Sequence, residues 1–197
     1  MLVLGNGESR KEIDLSTATD IKIGCNAIYR DHRVQHLVCC DRRMVAEACS
    51  SGYNTLSYIY TRSDWIHYFA NQERVRSLPP LPYQGENRWD DPFHWGSGPY
   101  AVLLGAKICK GETITLIGFD LYGIENKVNN IYKGTQNYAD IESKNVDPKY
   151  WIYQIGRIFS LYKSRRFRVL QTSDWPLPDA WNQPNVELDN ISNFTYT

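Results

Sequence analysis

The stretch from Trp95 to Gly123, WGSGPYAVLLGAKICKGETITLIGFDLYG, constrains the fold more than any other part of the chain. It opens with the small turn Gly96-Ser97-Gly98 and with Pro99, which suits the first turn of a helix because the missing N–H has no helical partner there. Apolar residues with good helix propensity follow as far as Gly111, and residues 113–118 (TITLIG) have the composition of a buried strand. The pattern predicts a helix followed by a strand of an open α/β sheet.

This unit offers two places for a ligand. In open α/β sheets ligands bind beyond the carboxyl ends of the strands, where Asp120 and Tyr122 follow the predicted strand. The turn before the helix, with Ser97 and Gly98, has backbone N–H groups and a partial positive charge that suit a phosphate. Ser97 lacks the Gly-x-Ser-x-Gly surroundings of a nucleophile, so a hydrogen bond to phosphate is the better interpretation of its hydroxyl.

Polar residues also follow three predicted strands nearer the start of the chain. These are residues 2–4 with the loop Gly5-Asn6-Gly7-Glu8-Ser9, residues 21–25 with Asn26, and residues 35–40 with Asp41. Glycines on both sides of Asn6 allow a tight turn and a close approach to a ligand, although Gly-Asn-Gly on its own is more often an ordinary turn. Strand ends in a parallel sheet share one edge, so we expect Asn6, Asn26 and Asp41 to lie together.

The remaining elements are predicted from periodicity and turn residues. We expect a helix over 42–51, a strand over 54–60, an ordered loop over 77–95, a helix that begins at Asp147 and Pro148, and a last strand over 166–170. Residues 123–146 have little periodicity and are predicted to form a lid-like loop that carries Tyr132 and Tyr138. The tail from Trp175 has little pattern.

Composition narrows the class of protein. With 197 residues and 42% hydrophobic content the chain can bury one sizeable core, so we expect one domain over residues 1–197. The expected fold class is a single-domain, Rossmann-like α/β protein with a mostly parallel sheet and helices on both faces. The 22 basic and 22 acidic residues cancel, which gives no electrostatic case for nucleic acid or an anionic membrane as the main partner.

The sequence also has none of the features of an exported protein. Met1 leads directly into a strand-like segment without the basic region of a signal peptide, and no apolar run is long enough to span a bilayer. Five cysteines, an odd number with no C-x-x-C pair, are typical of reduced thiols. We therefore expect a cytoplasmic protein, and no spacing of carboxylates and histidines indicates a metal site.

The order of these motifs resembles a known family. A first strand with GNGES and RKEIDLS, a second with CNAIY, and then GSGPYAVLLGAKICKGETITLIGFDLYG resemble the small bacterial sialyltransferases that use CMP-sialic acid. They also resemble related Rossmann-like phage and bacterial proteins described as glycosyltransferase-like or pterin-diphosphokinase-like. The resemblance covers residues 1–30 and 94–138 and is strongest in the serine-glycine turn, the helix and the IGFDLY ending.

The resemblance implies roles for individual residues. In the sialyltransferases two loop asparagines contact the nucleotide and its phosphate, which implies those roles for Asn6 and Asn26. The serine of the serine-glycine turn corresponds to Ser97, and the tyrosines that hold the leaving phosphate correspond to Tyr122 and Tyr132. The expected nucleotide contacts are completed by Gly5, Gly7, Ser9, Asp41 and Gly98.

One feature of the family is missing. The sialyltransferases place their general-base histidine after these tyrosines, whereas this chain has no histidine after His94. Such a base contributes ~100-fold to 10,000-fold in rate, so the acceptor chemistry is either absent or uses another residue. The candidates are Asp41, Asp120 and His94. Asp120 equally suits the cap of a turn, and His94 suits a packed loop histidine.

Three functions remain open. The first is a glycosyltransferase-like enzyme that binds a cytidine nucleotide or a CMP-sugar, as the sialyltransferases do, and that needs no cofactor. The second is pyrophosphoryl transfer of the pterin-diphosphokinase kind, with ATP and with Mg²⁺ held by the phosphates of the nucleotide. The third is a nucleotide-binding phage accessory protein without catalysis. Each would act in the cytoplasm of a bacterium or a phage-infected host, and each is compatible with a homo-oligomer.

Overall fold

Eight strands form one sheet in the computed structural model, which describes residues 1–16, 18–85, 87–111 and 113–194. The strands are Leu2–Leu4 (β1), Lys22–Cys25 (β2), His36–Val38 (β3), Tyr58–Thr61 (β4), Val75–Ser77 (β5), Thr113–Ile117 (β6), Arg166–Gln171 (β7) and Val186–Asn190 (β8). Their order across the sheet is β5-β4-β3-β2-β1-β6-β7-β8, and every pairing is parallel. Strands β1 to β5 follow one another toward one edge of the sheet, and β6 to β8 continue from the other side of β1 toward the opposite edge. The strand order therefore reverses between β1 and β6.

Helices cover both faces of this sheet. The helices Ser97–Ile108 (α2) and Lys149–Leu161 (α3) lie on one face, where they share a core with Val3 and Leu116. The helix Arg42–Ser50 (α1) lies on the other face, and its Met44 and Val45 pack with the neighbouring side chains of the strands. Because alternate residues of a strand point to opposite faces, both faces of the central strands are apolar. The predicted α/β class, with helices on both faces, is confirmed.

Helix α2 lies at the centre of the molecule. Its residues are buried almost all round, as expected of a helix without a polar stripe. A Cβ atom at Gly105 would lie 3.0 Å from the side chain of Val3, so this glycine lets the helix approach β1 closely. The close approach sets the first turn of α2 beside the carboxyl ends of the central strands.

Two edge strands are not predicted from the sequence. β5 is three residues long and is followed by Pro79 and Pro80, and β8 lies in the tail that has little pattern. Neither is buried along its length, so neither carries the run of apolar residues that identifies a buried strand. The predicted strand over 54–60 begins only at Tyr58.

No helix in the described part of the chain is long and apolar enough to cross a membrane.

Candidate functional site

A cavity of about 640 Å³ opens at the point where the strand order reverses. Its walls come from the loops after β1, β2, β3 and β6, from the first turn of α2 and from the segment over 123–146. Ligands of open α/β sheets bind at such a reversal, and the volume lies in the range of small-molecule sites. The cavity is therefore the candidate functional site.

Most of the predicted site residues line this cavity. Those that do are Gly5, Asn6, Gly7, Asn26, Asp41, Ser97, Gly98, Asp120 and Tyr122. Ser9, Tyr132 and His94 are not part of its wall. Because the carboxyl ends of parallel strands share one edge of the sheet, residues from distant parts of the sequence lie together there. Ser9, Tyr132 and His94 have other surroundings.

Asn6 is held rigidly at the floor of the cavity. Its Nδ2 donates to the carbonyl oxygen of Cys25 and to the hydroxyl of Tyr138, both at 3.0 Å, and its own carbonyl accepts from the N–H of Ile131 at 2.9 Å. A carbonyl can only accept, so the amide nitrogen must be the atom that faces Cys25. The side-chain oxygen Oδ1 of this 9% exposed residue then has no partner among the described residues. A buried acceptor of this kind is costly unless a ligand or water satisfies it.

The loop after β1 is joined to the loop after β6. The N–H of Gly5 donates to the carbonyl of Ile117 at 2.8 Å, and the N–H of Gly7 donates to the carbonyl of Gly118 at 2.9 Å. A Cβ atom at Gly7 would lie 2.2 Å from Cγ of Asp120. Only glycine allows the two loops to approach this closely.

The N-terminus of α2 faces the cavity without a side-chain cap. The N–H groups of Ser97 and Gly98 have no acceptor among the residues that the structure describes, and Pro99 has no N–H. Unpaired N–H groups and the helix dipole together attract an anion. This turn is therefore the most favourable position for a negatively charged group of a ligand.

The hydroxyl of Ser97 is engaged inside the protein. It donates to Oδ1 of Asn26 at 2.8 Å and accepts from the N–H of Cys40 at 2.9 Å. Asn26 has a left-handed backbone (φ 49°), and the Ser97 bond fixes its side chain. Within the described ranges Nδ2 of Asn26 has no partner, so the amide offers the cavity a donor, whereas the one O–H of Ser97 is already used.

Asp120 is also engaged. Its side chain, in a residue that is only 6% exposed, accepts from the N–H of Ser9 at 2.9 Å, from the Ser9 hydroxyl, and from Nε2 of Gln171 at 3.2 Å. These bonds cap the short 3-10 helix Glu8–Arg10 and tie it to β7. Ser9 thus lies behind the wall of the cavity and anchors a wall residue.

Asp41 is the N-cap of α1. Its carboxylate accepts from the N–H of Arg43 and pairs with the Arg43 guanidinium, both at 2.8 Å. The hydrogen bond from the guanidinium lowers the pKa of Asp41, which makes this carboxylate a weaker base. Arg43 is largely exposed and is the one cationic side chain in the described wall of the cavity.

The two predicted tyrosines have different surroundings. Tyr122 lines the cavity, and its ring lies 6.0 Å from that of Trp175. Partial burial raises the pKa of Tyr122, so its hydroxyl stays protonated and able to donate. Tyr132 is buried behind the site, where its hydroxyl accepts from Arg10 at 3.5 Å and burial raises its pKa to about 12.

His94 lies outside the cavity, in the loop before α2. Its Nε2 accepts from Nε of Arg88 at 3.2 Å, and its ring lies 6.3 Å from that of Tyr150. A lone pair that accepts from a guanidinium is not free to take a proton from a substrate in the cavity.

The segment over 123–146 supplies polar groups that the sequence does not identify. Asn129, Asn130 and Asn145 all line the cavity. Asn129 accepts from the N–H of Glu8 at 2.8 Å and donates to the carbonyl of Tyr122 at 3.1 Å, so it joins the segment to the loops after β1 and β6. The side-chain amide nitrogens of Asn130 and Asn145 have no partner in the described ranges and are available to a ligand.

The same segment is attached to α1 on the far side. Asn137 donates to Oε2 of Glu47 at 2.7 Å, and Arg30 donates to Oε1 of the same carboxylate and to the carbonyl of Gln136 at 3.0 Å. With the Tyr138 bond to Asn6, these contacts anchor the middle of the segment, and its most exposed part is residues 139–146.

Aromatic walls and a buried cation complete the site. Trp65 and Trp151 line the cavity and present flat surfaces to a ring. Arg10, 2% exposed, donates from Nε to the carbonyl of Gly5 at 2.9 Å beneath the first loop. Arg10 lies in a run of charged residues that is typical of an exposed turn, so its burial is not predictable from the sequence.

Within the described residues, no group of three or more histidine, cysteine, aspartate or glutamate side chains could hold a metal ion.

The chain matches no protein-family model, and neither a curated protein nor a solved structure is detectably similar to it. Its function is therefore inferred from the site itself.

Proposed function

We propose that this protein binds a nucleotide, specifically a cytidine nucleotide or a CMP-sugar, and acts as a glycosyltransferase-like enzyme. One observation carries the proposal. The uncapped N-terminus of α2 and the amide-bearing residues Asn6 and Asn26 belong to the wall of one cavity, so a site for an anion adjoins polar residues.

The phosphate of the ligand would bind at the first turn of α2. The N–H groups of Ser97 and Gly98 and the amide nitrogen of Asn26 would donate to its oxygens. Arg43 is the one cation of the described wall and already pairs with Asp41. So little positive charge suits a single phosphate better than the triphosphate of ATP, which favours a nucleoside monophosphate or its sugar ester.

The rest of the ligand would bind between polar and aromatic walls. The amides of Asn130 and Asn145 would donate to ring oxygens. The indoles of Trp65 and Trp151 offer surfaces against which a base or sugar ring can pack.

In the transfer reaction an acceptor hydroxyl would form a bond to the anomeric carbon of the sugar and lose its proton to solvent water. The phosphate would leave with the electrons of its bond to that carbon. The Tyr122 hydroxyl is protonated at neutral pH, and burial raises its pKa further above the ordinary value of 10.0. It would donate to the phosphate as negative charge builds. Tyr132 would support Arg10 behind the first loop instead of touching the ligand.

A non-catalytic nucleotide-binding protein is the second candidate. It is favoured by the fact that each candidate base is engaged elsewhere: Asp120 by Ser9 and Gln171, Asp41 by Arg43, and His94 by Arg88. Hydrolysis of a CMP-sugar without an acceptor would identify the enzyme, whereas binding without turnover would identify the second candidate.

A thermal-shift screen tests the proposed ligand. CMP, CTP, CMP-sugars, other nucleoside mono- and diphosphates, and ATP with and without Mg²⁺ would be compared at equal concentrations. A ligand at 100 times its Kd stabilises by roughly 2.7 kcal/mol, so selective stabilisation by cytidine nucleotides is expected. Stabilisation by ATP with Mg²⁺ alone would instead support pyrophosphoryl transfer, and no response to any nucleotide would overturn the proposal.

A further inference from the structure

A second cavity of about 340 Å³ lies beyond the carboxyl ends of β4 and β5. β4 continues into Arg62, Ser63 and Asp64, and β5 continues into residues 78–81, all of which line it. Helix α2 joins the two cavities, because Pro99 lines the first and the next residue, Tyr100, lines the second.

Arg62 fixes the wall between the two cavities. Its guanidinium lies between two rings, 4.4 Å from the centre of Trp65 and 4.1 Å from that of Phe93. It also donates to the Asp64 carboxylate at 3.0 and 2.6 Å and to the carbonyl of Phe93 at 3.3 Å. Trp65 lines the first cavity, so one guanidinium supports an aromatic wall of each.

The charge of Arg62 is already balanced. The two carboxylate oxygens of Asp64 accept from Nε and Nη2 of Arg62, while 49% of the Asp64 side chain stays exposed. The second cavity therefore presents carboxylate oxygens, which accept hydrogen bonds, and it has no unpaired cation among its described lining residues. An anionic ligand would face Asp64 without compensation.

Tyr100 adds a donor to this cavity. The residue is 4% exposed, and its hydroxyl has no partner among the residues described. Burial raises the pKa of Tyr100, and the nearby Asp64 raises it further, so the hydroxyl remains protonated. The two cavities are neighbours, because Arg62 in the second stacks on Trp65 in the first, and because Pro99 and Tyr100 are consecutive in α2.

The other walls are apolar. They are formed by Leu78, Pro79, Pro80, Leu81, Pro92 and Phe93. Carbohydrate rings combine apolar C–H faces with hydroxyl groups at the edge, and this wall offers apolar surfaces beside one acceptor and one donor.

We propose that the second cavity binds the acceptor substrate, an uncharged hydroxylated ring compound of monosaccharide size. Its hydroxyl groups donate to Asp64 and accept from Tyr100, while its C–H face packs against Phe93 and the prolines. The identification as an acceptor site rests on the proposed transferase function, because only a transferase needs a second substrate beside the first.

Leucine-methyl NMR tests both sites at once. Leu78 and Leu81 line the second cavity, and Leu121 lines the first. CMP is expected to shift the Leu121 methyl signals. Methyl glycosides of glucose, galactose and mannose, titrated into CMP-saturated protein, are expected to shift those of Leu78 and Leu81, whereas Leu188 on the far edge strand stays unchanged.

Two variants make the assignment specific. Tyr100→Phe removes only the hydroxyl and should raise the glycoside Kd about 2-fold to 10-fold while leaving the CMP Kd unchanged. Ser63→Trp places a large side chain at an exposed position of the wall and should abolish the glycoside shifts. Tyr58→Phe, at an exposed position on β4, is the matched control and should bind like the wild type.

The possible failures are distinguishable. If CMP leaves Leu121 unchanged, the proposed nucleotide site is wrong whatever the glycosides do. If CMP binds but no glycoside shifts Leu78 or Leu81, or if Tyr100→Phe and Ser63→Trp bind glycosides like the wild type, the acceptor site is wrong. A preference of the second cavity for a sugar amine or a sugar phosphate over the neutral glycosides would also overturn it.

Discussion

The Ser97 hydroxyl donates a 2.8 Å hydrogen bond to Oδ1 of Asn26 and so connects the first turn of α2 to the end of β2. It also accepts the N–H of Cys40, beyond the end of β3. One buried hydroxyl therefore sets the spacing of three elements around the cavity. Direct contact of the hydroxyl with phosphate, the role implied by the sialyltransferase resemblance, would require this bond to break, so we assign the Ser97 hydroxyl a positioning role and leave only its backbone N–H for the phosphate.

Ser97→Ala is expected to lower both stability and nucleotide affinity. The change leaves the N–H of Cys40 without its partner, which costs about 1–3 kcal/mol in the free energy of unfolding, and it frees the Asn26 side chain. Urea denaturation and calorimetric titration with CMP measure the two effects. Ser164→Ala, at an exposed serine, is the control. Unchanged stability would mean that the bridge contributes nothing to the fold.

Gly7→Ala is expected to destabilise the protein more than an ordinary surface change does. The new Cβ would lie 2.2 Å from Cγ of Asp120, whose carboxylate is held by Ser9 and Gln171 and cannot move away. Overpacking of this kind costs about 1–3 kcal/mol. Gly111→Ala is the matched control, since its Cβ meets nothing within 4 Å and its stability should change by less than about 0.5 kcal/mol. Equal stabilities of the two variants would contradict the close approach.

Asn6→Ala is expected to weaken nucleotide binding. It removes a polar side chain from the lining of the cavity, so the Kd for CMP should rise about 2-fold to 10-fold, as for one lost hydrogen bond. The bonds to Cys25 and Tyr138 are lost as well, so a stability loss of about 1 kcal/mol should accompany it. Asn71→Ala, at an exposed asparagine, is the control for both measurements. An unchanged Kd would show the first loop to be an ordinary turn.

Tyr122→Phe separates catalysis from binding. If the hydroxyl donates to the phosphate chiefly in the transition state, kcat should fall ~10-fold to 1,000-fold while donor affinity changes little. In a non-catalytic binder the same substitution can change only the affinity, by about 0.5–1.5 kcal/mol. Steady-state kinetics with a CMP-sugar and titration with CMP give the two numbers. Wild-type values for both would make Tyr122 a packing residue against Trp175.

The attachment of the segment over 123–146 is expected to depend on pH through Glu47. Burial raises the pKa of Glu47, but hydrogen bonds from Tyr29, Arg30 and Asn137 outweigh it and leave the pKa below its ordinary value of 4.5. Because the ionised form is favoured in the folded protein, the stabilisation is complete above pH 4.5 and is lost as the pH falls through the lowered pKa.

Urea unfolding of the wild type and of Glu47→Gln, from neutral pH to below pH 4.5, measures how the free energy of unfolding depends on pH. The difference in unfolding free energy between them should be largest near neutral pH and should shrink as the pH falls below 4.5. Glu142→Gln, at an exposed glutamate of the same segment, should show no comparable trend. A constant difference for Glu47→Gln would refute the pH dependence.

The central sheet is predictable because its strands are buried on both faces. The TITLIG run becomes β6 almost as predicted, and the polar residues after β1, β2 and β3 come to one edge because parallel strands share it. The edge strands β5 and β8 are not predictable, since a short exposed strand is stabilised by its neighbour and not by its own pattern. Prediction thus succeeds where burial repeats along the sequence.

The contributions of irregular segments to the site could not be predicted. Asn129 reaches the cavity because it bonds to Glu8, far away in the sequence, and Trp65 does so because Arg62 stacks on it. No periodic pattern of residues in the sequence indicates either contact. The engagement of Ser97 and Asp120 within the protein is equally invisible, because a serine or aspartate at a strand or helix end suits a ligand and a cap alike.

The pairing of β1 with β6 has a consequence for how the chain is made. Leu2 pairs with Thr115, so the first strand gains its second neighbour only after more than half of the polypeptide has been synthesised. Until then one edge of β1 stays open, and the apolar α2 has an incomplete sheet to cover. Such distant pairing makes folding slow and exposes the nascent chain to self-association, so truncation before β6 should yield an aggregating product and not a smaller folded domain.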